Sequence, residues 1–387
     1  MSARHFVLAA GGTGGHIIPA FALATELKRR GYHVALVTDE RGAKIPGTFE
    51  GDEKHILPAG RITKNPLGWF SGARNILEGR SMARRLYESF RPEAVIGFGG
   101  YPAFPALLAA AKDGIPCAIH EQNSVLGRVN RLLAGRVDAI ATSYKRVERL
   151  AEKHSSKVRL VGNPVRAEVL ALRSQPFPAL TEDGIFRVLV TGGSQGATIL
   201  SDIVPDGLAL LPVSFRRRMQ VTQQCREADI KRVRDRYAEL EIPADLATYL
   251  PDLPERLGWA HIVIARAGAS TIAELTVAGR PAILIPLPIA TDDHQIFNAR
   301  EMAASGGARV IKQTNFTPSE LAKQMQKLGL EPEALMNAAG RARSAGYPDA
   351  TRDLADLVER LGRGGVTPEP VGAAARNPRA AAAGAAS

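Results

Sequence analysis

The run VLAAGGTGGHIIPA, Val7–Ala20, sets four glycines and a histidine between an apolar stretch and a segment able to open a helix. A strand, a glycine turn and a helix start in succession bring backbone N–H groups to an anion at the helix N-terminus, and the glycines are expected to supply turns of positive φ. His16 has a different chemistry. In the first turn of a helix the dipole disfavours an imidazolium, so the ring stays neutral near pH 7 and can accept a proton. The alternative is a ring that donates to a phosphate or packs the loop. VLVTGGSQGA, Val188–Ala197, aligns without gaps on Val7–His16 and carries Ala197 where the first run has His16. The turn itself therefore does not require a histidine.

Neither glycine loop is a dinucleotide fingerprint, because G-x-G-x-x-G from Gly12 would need glycine where Ile17 stands. Asp39, at the end of the second apolar run, suits a ribose hydroxyl or an ordinary turn equally in type, and the turn is the simpler reading. There is no P-loop, no C-x-x-C or H-E-x-x-H and no D-x-D pair. No metal and no cofactor is expected. A bound diphosphate would be neutralised by amides, helix dipoles and basic side chains.

The elements that position these loops are short apolar runs alternating with helix-length segments. HFVLAA, HVALVTD, AVIGFG, PCAIHE, DAIATS and VRLVG come first, then FRVLVTG, RMQVTQQ, HIVIARAG, PAILIPL and ARVIK. Strands separated by helical patterns imply βαβ units and doubly wound parallel sheets, an α/β fold. The pattern breaks near 166–184 at Pro176 and Pro178. With the repeat, this gives two Rossmann-like halves: residues 1–165 and 166–349. Residues 363–387 are rich in Gly, Ala and Pro without apolar period and read as a disordered tail.

The 387 residues are 45% hydrophobic, enough for about two domains. The net charge of +11 favours anionic partners, but only 5% of the chain is aromatic and the basic residues are dispersed, so nucleic acid is not expected. Met1–Arg4 leads directly into a strand-like run with no signal-peptide pattern, and no stretch is apolar enough to span a bilayer. Cys117 and Cys225 alone are present, which suits a reducing compartment.

Seven motifs, GGTGGHIIPA, GFGGYPAFPALLAA, IHEQN, GNPVR, GGSQGA, RAGASTIAEL and TDDHQIFNA, occur in the order and spacing of the MurG family. The chain resembles that family from about Arg4 to Leu361. The resemblance implies a GT-B fold, two Rossmann-like domains facing a cleft, with a helix at 350–362 crossing back to the first domain. It also implies an inverting N-acetylglucosaminyltransferase. GlcNAc would pass from UDP-GlcNAc to the C4 hydroxyl of MurNAc in the undecaprenyl-linked acceptor lipid I, giving lipid II for peptidoglycan.

The resemblance places His16 as the candidate base. Thr13, Gly14 and Gly15, with Gly99, Gly100 and Tyr101, would cradle the acceptor diphosphate, and Glu121 would lie on the acceptor side or be a loop carboxylate. Ser194 and Arg166 match contacts to the UDP phosphates, although Ser194 also suits a helix N-cap. Ala269, Ser270, Thr271, Ile272 and Ala273 would bring amides to the nucleotide. Glu274 matches the ribose ligand, while TIAE is also a capping box that would tie Glu274 to the helix start. Leu250 stands where a main-chain group meets uracil, or is simply core. Gln295 and Asn123 match contacts to the transferred sugar. His294 precedes Gln295 where some members have glutamine, and Ser201 replaces an asparagine, so neither takes a role.

The expected place is the cytoplasmic face of the bacterial inner membrane, peripherally bound, with other cell-wall synthesis enzymes as further partners. Between Arg61 and Arg91, Leu67, Trp69, Phe70, Ile76 and Leu77 lie among seven basic and two acidic residues. That mixture suits insertion into an anionic membrane surface, or a core helix with a solvated face. Alternatives are another GT-B enzyme (a glycolipid glycosyltransferase or a UDP-GlcNAc epimerase) and an NAD-dependent oxidoreductase.

Overall fold

The structure, a computed structural model, describes residues 4–58, 66–193, 196–288 and 293–364; side chains at 66–71 are also left aside. Its first sheet contains β1 (His5–Ala10), β2 (His33–Thr38), β3 (Glu53–Ile56), β4 (Ala94–Gly99), β5 (Cys117–Glu121), β6 (Ala139–Thr142) and β7 (Val158–Leu160). All are parallel, in the order β3-β2-β1-β4-β5-β6-β7. The second contains β8 (Phe186–Thr191), β9 (Met219–Gln224), β10 (Ala244–Ala247), β11 (Ile262–Ala265), β12 (Ala282–Leu284) and β13 (Ala308–Val310), parallel in the order β10-β9-β8-β11-β12-β13. Each order reverses beside the first strand of its sheet, between β1 and β4 and between β8 and β11. Loops at that reversal open a crevice at the carboxyl ends of the strands. All eleven apolar runs singled out in the sequence form strands; β3 and β10 are additional.

The central strands are apolar on both faces because helices cover both. Leu8 sits in register with Leu36 and Ile96, all essentially inaccessible. Helices α1 (Gly14–Arg29), α2 (Pro66–Phe90), α3 (Ala103–Lys112) and α4 (Arg128–Leu133) serve the first sheet. α5 (Ala167–Ala171), α6 (Thr198–Ala209), α7 (Val213–Arg216), α8 (Glu227–Glu239), α9 (Leu253–Trp259), α10 (Ala269–Ala278), α11 (His294–Ala304), α12 (Pro318–Leu328) and α13 (Pro332–Ser344) belong with the second.

The last helix, α14 (Ala350–Gly362), packs on the first sheet instead. Ala350, Leu354, Leu357, Val358 and Leu361 recur at helical spacing and are buried, most of them in the same core as Phe6, Leu23 and Ile96. Each fully buried Leu contributes roughly 1.5–3 kcal/mol. Arg30 beyond α1 reinforces the docking with ion pairs to Asp356 at 2.7 Å and Glu359 at 2.6 Å.

Candidate active site

The β1–α1 and β4–α3 turns meet above the first sheet. Asp39 is buried, and its Oδ1 accepts the N–H of Gly12 at 3.0 Å and of Gly42 at 2.8 Å. The carboxylate that an oxidoreductase would use on a ribose instead fastens the glycine turn. Of the four glycines in that run only Gly12 has positive φ, +82°. This corrects the expectation that all supply such turns. Gly11 is demanded by packing, because a Cβ there would lie 2.5 Å from Pro102 Cδ. Gly14 and Gly15 leave the first turn of α1 bare beside Thr13, its N-cap.

His16 is the third residue of α1, and its partly buried ring lies over Gly99. A Cβ at Gly99 would fall 3.1 Å from the His16 Cε1 and crowd the imidazole, and the φ of +95° there favours glycine as well. Burial lowers the His16 pKa below its ordinary 6.5. The Gln122 hydrogen bond, the Glu121 charge and the Phe98 carbonyl oppose that shift, while His294 from α11 adds to it. The ring is therefore mainly neutral at pH 7. In the second half the comparison with Ala197 is imperfect. Gly193 repeats the φ of Gly12, at +80°, but α6 begins only at Thr198, making Ala197 an N-cap and not a third helical residue. Next to His16, Gly100 has φ +78°, and the Tyr101 hydroxyl is buried without a partner among the described residues.

The Glu121 carboxylate is engaged by the segment that follows it. Its Oε1 accepts the Asn123 N–H and Nδ2 at 3.0 and 3.1 Å, and Oε2 accepts the Gly127 N–H and Asn130 Nδ2, both at 2.8 Å. Four donors fill the acceptor positions of a carboxylate, so Glu121 is unsuited to a base. Asn123 Oδ1 in turn accepts Asn298 Nδ2 at 3.0 Å, while Asn298 Oδ1 accepts the Ser124 N–H at 2.8 Å and its hydroxyl at 3.2 Å. Asn298, fully buried on α11, thus clasps the first domain to the second. One N–H and one lone pair of Asn123 remain for a sugar.

Across the cleft, α10 packs against α1. Gly268 is its N-cap, so Thr271 lies within the helix and the capping box that the sequence also allowed is not formed. The helix starts earlier because extended Gly268 accepts the Ile272 N–H at 3.0 Å. The N–H groups of Ala269, Ser270 and Thr271 face outward by helix geometry, and the Ser270 hydroxyl is buried without a partner among the described residues. Ile272 and Ala273 follow in the same first turns, with Ile272 in the second core.

Glu274, almost wholly buried, accepts Arg166 Nη2 at 2.8 Å and Nε at 3.1 Å, both on Oε1. Burial raises its pKa, against the Arg166 charge. Gln295 Oε1 accepts the Leu287 N–H at 3.0 Å, and Leu250 packs its side chain into the second core. Ser194 lies outside the described residues; the N-cap position it was read for belongs to Ala197. Leu67, Trp69 and Phe70 fall in the first turns of α2, with side chains outside the described set; Leu77 is 65% exposed.

Four residues near the site received no role from sequence: Gln122, Asn298, Arg266 and His294. All lie inside the motifs. Arg266 is buried at the β11–α10 turn, donates to the Ile285 carbonyl at 3.1 Å, and has its pKa lowered by burial and then by Arg226. Two guanidiniums that repel each other near the β8–α6 turn (Arg226 Cγ is 3.1 Å from where a Gly196 Cβ would lie) suit an anion. Among the described residues no cluster of three His, Cys, Asp or Glu side chains is arranged to hold a metal.

The glycosyltransferase family 28 N-terminal domain matches residues 6–142 and the family 28 C-terminal domain residues 187–358. A protein of Novosphingobium aromaticivorans is 66% identical, over 93% of this chain and 92% of its own. One of Erythrobacter litoralis is 64% identical, over 93% and 90%. Both are named UDP-N-acetylglucosamine–N-acetylmuramyl-(pentapeptide) pyrophosphoryl-undecaprenol N-acetylglucosamine transferase. Among solved structures, Acinetobacter baumannii MurG superposes with a TM-score of 0.72 at 28% identity, over 92% of this chain and 99% of that one.

Proposed function

The chain belongs to glycosyltransferase family 28, and from that premise we propose how its GT-B cleft moves N-acetylglucosamine from UDP-GlcNAc to lipid I, giving lipid II. The observation that supports the mechanism is the contact between α1, which carries the neutral imidazole of His16, and α10, whose first turn begins at Ala269. His16 takes the proton of the MurNAc C4 hydroxyl as that oxygen bonds to the sugar's anomeric carbon. The bond from that carbon to the UDP phosphate breaks with inversion, and UDP leaves with the electron pair.

Charge developing on UDP is met by the outward amides of Ala269–Thr271, by Ser194 and Ser270, and by Arg166 and Arg266. Helix N-termini and guanidiniums stabilise such a leaving diphosphate. Glu274 Oε2 accepts the ribose hydroxyls while Oε1 keeps Arg166 in place. Gln295 Nε2 and Asn123 hold the sugar, and the main chain at Leu250 meets uracil. Thr13, Gly14 and Gly15, with Gly99, Gly100 and Tyr101, cradle the acceptor diphosphate.

The acceptor's lipid places the first domain at the anionic cytoplasmic surface of the inner membrane, with Leu67, Trp69 and Phe70 inserted beside basic residues of α2. Among the described residues no helix is long and apolar enough to cross a membrane. Incubation with labelled UDP-GlcNAc, with and without a lipid I analogue, tests the proposal. A labelled disaccharide lipid formed only with the acceptor supports it; conversion of UDP-GlcNAc to its epimer without acceptor overturns it.

A further inference from the structure

We propose that Gln122 and His120 are positioning residues that fix the tautomer of His16, holding the proton on Nδ1 and leaving the Nε2 lone pair for the acceptor hydroxyl. The inference rests on the reading of His16 as base, but the tautomer it assigns can be measured independently of activity.

The Gly162 carbonyl can only accept, and His120 Nε2 lies 2.9 Å from it. His120 Nε2 therefore carries the proton and His120 Nδ1 is bare. Gln122 Nε2 lies 3.0 Å from that bare Nδ1 and 3.0 Å from the His120 carbonyl. Both neighbours accept, so the amide NH2 must face them. An inverted amide would set oxygen against two acceptors in a site where Gln122 is 1% and His120 0% exposed. Unpaired buried polar groups of this kind cost about 1–3 kcal/mol each. Gln122 Oε1 is thereby turned to His16 Nδ1, at 3.1 Å, and only a protonated Nδ1 satisfies it.

The direction of every hydrogen bond in the chain Gly162–His120–Gln122–His16 thus follows from one backbone carbonyl. His120 holds its part because burial lowers its pKa to about 4, so it remains neutral and asymmetric at pH 7. Gly162 is itself fixed where the returning chain touches the first domain, since a Cβ there would lie 2.4 Å from Tyr347 Cβ. The groups facing His16 are Glu121 from the end of β5, His120 and Gln122, the Phe98 carbonyl from β4, and His294 from α11. Among them, Glu121 is engaged by its four donors.

Side-chain nitrogen NMR of the full-length protein labelled with 15N-histidine tests this, with the His16 signals assigned by their loss in His16→Asn. The expected spectrum shows His16 protonated at Nδ1, the less common imidazole tautomer. Folded Gln122→Met, close in volume but unable to accept, is expected to shift the population toward Nε2–H. It should also lower kcat at least tenfold, with the KM for UDP-GlcNAc unchanged. An Nε2–H His16 in the unsubstituted protein, its ring then donating to the Phe98 carbonyl, overturns the proposal even if Gln122→Met does not fold. So does an unaltered tautomer in folded Gln122→Met. A shifted tautomer with unchanged kcat upholds the tautomer assignment and overturns the reading of His16 as base.

Discussion

Replacing Glu274 separates a binding role from a structural one. Its Oε1 receives both Arg166 donors, at 2.8 and 3.1 Å, and its carboxylate is 7% exposed against 21% for the Arg166 side chain. Removing one partner of a fully buried ion pair costs about 3–5 kcal/mol. Arg166 retains access to water, which places Glu274→Ala at or below the bottom of that range, about 2–3 kcal/mol. Glu274→Gln keeps an acceptor for Arg166, and its loss of stability should be about 1 kcal/mol. The effect on UDP runs differently. A ribose hydroxyl bonded to a carboxylate contributes about 1.5–3 kcal/mol, and the amide can accept from one hydroxyl only through its single oxygen, already shared with Arg166. Losing one such bond raises the Kd for UDP roughly 10- to 150-fold. Calorimetric titration of UDP into Glu274→Gln, beside a thermal melt of the same sample, reads both quantities. A Kd within twofold of the unsubstituted protein in a folded variant would refute the ribose contact and leave Glu274 as a brace between α5 and α10.

Three other perturbations reach different parts of the account. His120 and His261 are fully buried, and burial lowers both to about 4 from 6.5. The unfolded chain binds their protons first as pH falls, so stability present above 6.5 is lost down to about pH 4, on the order of 3 kcal/mol for each; a melting temperature flat across that window contradicts it. Glu26, held at about 2 by Arg29 and Arg30, should add a further loss as pH falls from 4.5 toward 2, and Glu26→Gln should remove that limb from the melting profile. Trp69→Ser combined with Phe70→Ser should reduce sedimentation with vesicles containing anionic lipid while the circular dichroism spectrum is kept; undiminished binding removes the membrane contact.

Much of the fold was legible because parallel strands covered on both faces are continuous apolar runs. β3, EKHI, and β10, ADLA, escaped for the same reason: each is an edge strand with polar or exposed residues and no two-sided burial. Thr271 and Glu274 have the spacing of a capping box, which left that reading open beside the ribose contact, whereas extended Gly268 begins α10 earlier. The glycine turns showed where an anion and a base would sit. What sequence could not show was which side chains answer one another across the chain. Asp39 on Gly12, Glu121 on four donors, and Asn298 on Asn123 and Ser124 are partnerships between distant segments. Residue type gave no reason to prefer them over contact with substrate.

His16 is proposed to take the acceptor's proton in a cleft whose donor half is built by the second domain. Turnover of His16→Ala with saturating UDP-GlcNAc and lipid I analogue, alongside its Kd for UDP, tests this directly. The expected outcome is an intact fold, UDP affinity within about twofold, and kcat lowered by roughly 10²–10⁴, the range for a lost general base. A variant that keeps its kcat, or loses only affinity for the acceptor, would contradict it.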